Sequence, residues 1–173
     1  NKVISIDKLV QIGFTVSPAT DISKFLRSIG YIGKFTAADL VEGVTIPSNK
    51  IFKLSTTDDN NATFKVDSQI HKDLECALTQ KGNMKPNQSN LYQVVVYQMT
   101  ETDYGVAVDN FMKVNANWAQ LTIDSRTAAD IEKVAAKALA NNRLFVSQTS
   151  DEDVSTKAEN NVAIRLAKLD NAN

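Results

Sequence analysis

The second half of the chain alternates between two kinds of hydrophobic pattern, and that alternation leaves few folds open. "LYQVVVYQM" (91–99) is a nearly unbroken β-branched and aromatic run, the pattern of a strand buried on both faces. Over 102–115, Tyr104, Ala107, Val108, Phe111 and Met112 recur at helical spacing. "WAQLTIDS" (118–125) reads as a second strand. "TAADIEKVAAKALANN" (127–142) reads as a helix, capped by Thr127 or Ser125, with Asp130 at the positive end of its dipole. Its apolar stripe is Ile131, Val134, Ala135, Ala138 and Leu139, and Lys133 and Lys137 lie outside that stripe. "RLFVSQ" (143–148) reads as a third strand. A third helix follows over 156–169, with Ala158, Val162, Leu166 and Leu169 on one face. The order β-α-β-α-β-α predicts an α/β fold: a parallel or mixed sheet flanked by helices and joined by right-handed crossovers.

The first half is less regular. Residues 68–83 predict a helix, with Ile70, Leu74, Ala77 and Leu78 in register and Gly82 and Asn83 to close it. It leads into the strand at 91, so it belongs to the same sheet. "IFKLS" (51–55) and "ATFKVD" (62–67) predict two strands flanking a turn at "TTDDNN" (56–61). Residues 24–35 fit either a strand or a helix. Residues 3–17 have a β-rich composition without clean alternation. The chain is thus expected to divide into a β-rich N-terminal segment, 1–60, which could serve as an arm, and an α/β core domain, 61–173. A further strand would be the next unit after the last helix, so the core is expected to be truncated before a C-terminal arm.

Charge and composition narrow the partners. The 173 residues carry 19 basic and 20 acidic side chains, for a net charge of −1. Nucleic-acid binders show a clear basic excess, so no nucleic-acid partner is expected. A single cysteine, Cys76, excludes an intramolecular disulfide. The longest apolar runs fall far short of the ~20 residues that span a bilayer, and no membrane partner is expected. Neither G-x-G-x-x-G nor the P-loop pattern occurs, which argues against the standard nucleotide cofactors. The triplets Asn61-Ala62-Thr63 and Asn87-Gln88-Ser89 read as chance matches to the glycosylation acceptor rule.

Each strand of the second half ends in a polar, acidic segment: Thr100 to Asp103, Asp124 to Arg126, and Thr149 to Asp153. In α/β enzymes the carboxyl ends of strands are where ligands bind. Asp103, Asp124 and Asp151 would then hold Mg²⁺ in a small metal-dependent hydrolase. Each segment also precedes a helix, where an acid is favoured by ~0.3–1 kcal/mol, and capping alone accounts for all three. His71 and Cys76 are spaced poorly for a shared site, and no His/Cys group has zinc spacing. "DDNNATF" (58–64) lacks the glycine and the terminal glutamate of a calcium loop and reads as a plain turn. Trp118 reads as a core or edge anchor, with a protein contact as the sharper alternative. No catalytic, cofactor-binding or metal-binding residue is assigned, and no cofactor is expected.

Several of these stretches together resemble a known family. Asn117-Trp118, Leu121, Asp130-Ile131, Ala135-Ala136, Leu144-Phe145, Thr149-Ser150-Asp151 and Leu166 to Leu169 look like the central domain of contractile phage tail sheath subunits. More narrowly, they look like the sheath-like structural proteins of myovirus-type phages and prophages. "LTQKGNMKPNQ" (78–88) is similar to the helix-to-strand link in those proteins, and the resemblance covers about residues 68–169. It implies a virion structural protein of the contractile tail, assembled in the bacterial host cytoplasm, with no catalysis. The implied partners are other copies of itself and the tail tube protein, with terminal arms that add strands to neighbouring sheets. Lys133, Lys137 and Arg165 on one side, and Asp151 to Asp153 with Glu159 on the other, are the expected opposite-sign surfaces between copies.

Overall fold

The computed structural model describes residues 26–79, 93–156 and 161–170. Its strands are β1 (Ser28–Gly33), β2 (Ile51–Leu54), β3 (Gln93–Gln98), β4 (Gln120–Ile123) and β5 (Leu144–Phe145). They form one sheet in the order β2-β3-β1-β4-β5. β1, β3, β4 and β5 run parallel, and β2 lies antiparallel along β3. The helices are α1 (Thr57–Thr63), α2 (Gln69–Leu78), α3 (Tyr104–Val114), α4 (Ala128–Ala140), α5 (Glu152–Thr156) and α6 (Val162–Asp170). The fold is therefore α/β with a mixed sheet, as the alternation predicted.

The ambiguous segment 24–35 supplies the central strand. Gly30 and Gly33 would each cost a helix about 1 kcal/mol, and Tyr31 and Ile32 between them favour a strand. β1 sits between β3 and β4, so the β3–α3–β4 crossover steps over it. Residues 28–33 and 51–54 thus share one sheet with the second half of the chain.

The side-chain period of two splits the core into layers. Val95 and Tyr97 of β3, Ile32 of β1, and Leu121 and Ile123 of β4 face α3, α4 and α6. Val94 and Val96 of β3, Tyr31 of β1 and Leu54 of β2 face α2 and Phe64. Both faces of β3 are buried, which is why "VVVY" has no polar alternation. In the first layer three rings stack. Tyr97 and Phe111 lie 5.3 Å apart and Phe111 and Trp118 5.0 Å apart, with interplanar angles of 20° and 19°. The stack rests on Gly30: a β-carbon there would stand 2.8 Å from Trp118 Cδ2 and 2.9 Å from Phe111 Cε1. Trp118 is fully buried and its Nε1 donates to Asn115 O at 2.8 Å, so it is a core anchor rather than a contact for another protein.

Two expectations in the first half are overturned. "TTDDNN" is not a turn, and "ATFKVD" is not a strand. Thr56 Oγ1 accepts from Asp59 N at 3.1 Å, and Asp59 Oδ2 accepts from Thr56 N at 2.9 Å and from Ser55 N at 2.7 Å. This reciprocal capping box starts α1 and carries it through Thr63. Of the expected strand, Phe64 makes one bridge, to Leu40.

The second half departs from expectation in two places. The third strand shortens to Leu144–Phe145. The helix expected over 156–169 divides into α5 and α6, with 157–160 outside the described residues. Asn161 Oδ1 accepts from Ile164 N at 3.0 Å and Asp151 Oδ2 from Val162 N at 2.9 Å, so α6 has a capped start of its own. α2 ends at Leu78. The closing residues Gly82 and Asn83, and the β-rich stretch 3–17, lie outside the described residues.

Candidate functional site

The carboxyl ends of β1, β3 and β4 form a rim whose acids carry distinct tasks. Asp103 caps α3: its Oδ1 accepts from Gly105 N at 2.7 Å and Val106 N at 3.2 Å. Its Oδ2 pairs with Lys133 Nζ at 2.6 Å, and this bond, with the main-chain donors, holds the carboxyl below its ordinary range. Asp124 ties strand ends together, accepting from Tyr104 Oη at 2.6 Å and from Lys34 N at 2.8 Å. Burial, then the bond to Asp124, pushes the Tyr104 phenol well above its ordinary range, so this hydroxyl is a fixed donor at neutral pH. Asp151 accepts from Asp153 N at 3.2 Å and from Val162 N at 2.9 Å, serving α5 and α6.

Glu101 is held just as firmly. Tyr97 Oη and Asn110 Nδ2 each donate to its Oε1 at 2.8 Å, and Thr100 N donates to Oε2 at 3.0 Å. Burial works to raise its pKa, but these donors outweigh it and the net shift is downward. Among the described residues, no group of three or more His, Cys, Asp or Glu is arranged to hold a metal ion. The three aspartates of the hydrolase reading are each bound into a local hydrogen-bond set.

The other sequence candidates separate as well. His71 is buried, with its Nε2 2.8 Å from Asn61 Oδ1, whereas Cys76 is exposed. Asn60, fully buried, donates to His71 O at 3.0 Å, so His71 belongs to the joint between α1 and α2. "DDNNATF" lies in α1 and its end. Lys137 pairs with Asp109 at 2.6 Å and Arg165 with Glu132 at 2.6 Å. The cations expected to face a neighbouring copy therefore have partners within the chain, and Glu159 lies outside the described residues.

Sequence reasoning missed a groove on the face that carries α2. It has a volume of about 460 Å³ and runs between α2 and the strands β1 and β4. Ile29, Gln120 and Thr122 line it along the strands, Lys72 and Cys76 on the helix, and Val146 beyond β5. Tyr31 Oη donates to Asp73 Oδ2 at 2.9 Å at its wall. Burial above all, then Asp73 and Asp124, pushes that phenol far above its ordinary range. The groove exists because α2 covers only the β2-β3-β1 half of the sheet. Beyond β1, Gln120 and Thr122 are half-buried, and Leu144 and Val146 are 61% and 47% exposed. One sequence signal was available. "AQLTI" alternates polar and apolar residues, the period of a strand with one face unpacked.

No helix among the described residues is long and apolar enough to cross a membrane. Comparison with protein-family models gives no match, and none of the curated proteins matches the chain.

Proposed function

We propose that this chain is a structural subunit, or a part of one, of a contractile phage tail sheath, self-assembling around a tail tube without catalysing a reaction. The observation that carries this reading is how the rim carboxylates are used. Asp103, Asp124 and Asp151 each accept from main-chain N–H groups, and their remaining bonds go to Lys133 and Tyr104. A hydrolytic metal centre needs such oxygens to converge on an ion. Here they brace strand-to-helix junctions, which suits a wall that must transmit load. The sequence resemblance over about 68–169 supplies the rest of the case, including the partners (further copies of the chain and a tail tube protein) and the location in a phage tail.

Electron microscopy of the purified protein tests this reading, with rings or tubes as the expected result. Thermal melting with Mg²⁺ or Mn²⁺ tests the rival hydrolase. A metal at a hundred times its dissociation constant adds about 2.7 kcal/mol, worth roughly 5–10 °C for a chain of this size. The expected shift is none. A shift of that size that vanishes in Asp124→Asn would overturn the assembly reading in favour of the hydrolase.

A further inference from the structure

The strand order places a reversal of winding between β1 and β4. β1 leads to β3 by way of α2 on one face of the sheet, and β3 leads to β4 by way of α3 on the other. In open α/β sheets, ligands bind at such a switch point, in the crevice outside the carboxyl ends of the strands. The groove beside α2 reaches that crevice: Tyr31 stands near the end of β1, and Asp124 and Arg126 follow β4. Its volume of about 460 Å³ is that of a small-molecule site. We propose that it binds a small polar molecule bearing a phosphate or carboxylate group, held through Lys72 and Arg126.

The charges along the groove select an anion. Two carboxylates and two cations line it, and only the cations are unengaged. Asp73 is used at both oxygens: Oδ1 accepts from Gln69 Nε2 at 2.7 Å and Oδ2 from Tyr31 Oη at 2.9 Å. Asp124 is used at both as well, by Tyr104 Oη and the Lys34 N–H. Lys72 and Arg126 are exposed, and neither side chain makes a hydrogen bond or ion pair with the described residues. A guanidinium suits the paired oxygens of a carboxylate or phosphate. α2 adds to the same bias, because Gln69 and Lys72 lie at its start, the positive end of the helix dipole. The floor is polar where the covered face of the same strand is not. β4 packs Leu121 and Ile123 into the core layer of α3 and α4. It turns Gln120 and Thr122 into the groove, half-buried and without side-chain hydrogen bonds among the described residues. The inference does not depend on the sheath reading.

Melting of the purified chain, followed by Trp118 emission, tests the proposal. Sodium chloride is exchanged for sodium phosphate or sodium succinate at constant ionic strength. For a dissociation constant of about 1 mM, 20 mM of the bound anion raises Tm by roughly 4–7 °C in a chain of this size, along a saturating curve. A rise with phosphate alone, or with succinate alone, would support the site and name the group it takes. In the double variant Lys72→Gln, Arg126→Gln the rise should vanish. Its Tm in chloride should stay within about 4 °C of the native value, because both side chains are exposed. Lys113→Gln, which removes an exposed cation of α3 on the opposite face, should keep the rise. No rise with either anion would overturn the proposal. So would a rise that never saturates or that survives in the double variant, both marks of general salt exclusion from the surface. A rise lost in Lys113→Gln would place the anion elsewhere and also overturn it.

Discussion

Gly30→Ala tests the packing at the centre of the molecule. In a strand, alanine in place of glycine gains about 0.5–1 kcal/mol from lower backbone entropy in the unfolded chain, so on that ground the variant should be more stable. The ring stack opposes it. The new β-carbon would stand 2.8 Å from Trp118 Cδ2 and 2.9 Å from Phe111 Cε1. Both rings are fully buried and each is stacked on a neighbour, so neither has room to retreat. Overpacking of this kind costs about 1–3 kcal/mol, which exceeds the entropic gain. For a chain of this size the net loss, at most about 2.5 kcal/mol, corresponds to a drop in Tm of up to roughly 10 °C. Emission of the single tryptophan, buried in the stack, reports the transition directly. In a Trp118→Leu background, followed by circular dichroism, the penalty should shrink by about 0.5–3 kcal/mol of coupling. A Gly30→Ala chain as stable as the native one, or the same penalty in both backgrounds, would refute the reasoning.

Other outcomes follow from the caps and the carboxylates. Thr127→Ala removes the oxygen that caps α4 through Asp130 N and should cost about 1 kcal/mol in urea denaturation. Asp124→Ala strips the acceptor from Tyr104 Oη and Lys34 N and should cost about 1–3 kcal/mol. The carboxyls of Asp59, Glu101 and Asp103 all titrate below their ordinary ranges in the folded chain: Asp59 chiefly through the Ser55 N–H, Glu101 through donors that outweigh its burial, and Asp103 chiefly through Lys133. Depressed folded values give stability that is complete above the unfolded values near pH 4 and is lost as pH falls through the folded ones. Tm should therefore hold from pH 7 to about 5 and decline below about 4. Asp59→Asn should flatten that decline, and a profile unchanged by the substitution would count against the capping box as its source.

Legibility in the sequence followed periodicity. β3, α3, β4 and α4 announce themselves because each buries a regular set of side chains, and the pattern from Ala128 to Ala140 is helical throughout. The junction at Thr56 was misread because a cluster of Thr, Asp and Asn fits a turn as well as a helix start. What decides between them is the acid three residues after Thr56, with both reciprocal bonds formed. The break between α5 and α6 was hidden for a similar reason. Val162 and Leu166 keep helical spacing, and the cap at Asn161 is a local hydrogen bond that spacing does not reveal. At the rim, capping was legible because each acid stands next to the helix it serves. The reach of Tyr104 to Asp124 was not, because it joins α3 to the end of β4. The groove was the least legible feature. It is made where α2 stops covering the sheet, and its walls come from β1, α2, β4 and the residues after β5.

The place of β1 in the strand order has a consequence for the newborn chain. Ser28 must await Gln93 on one edge and Ile29 must await Gln120 on the other. Ribosomes add about 5–20 residues per second, so the middle strand stays bare along both edges for several seconds after it emerges. Such late, distant pairing also slows folding. During that interval "SIGYIG" keeps open hydrogen-bonding edges, the kind of exposed strand that makes a folding chain prone to aggregation.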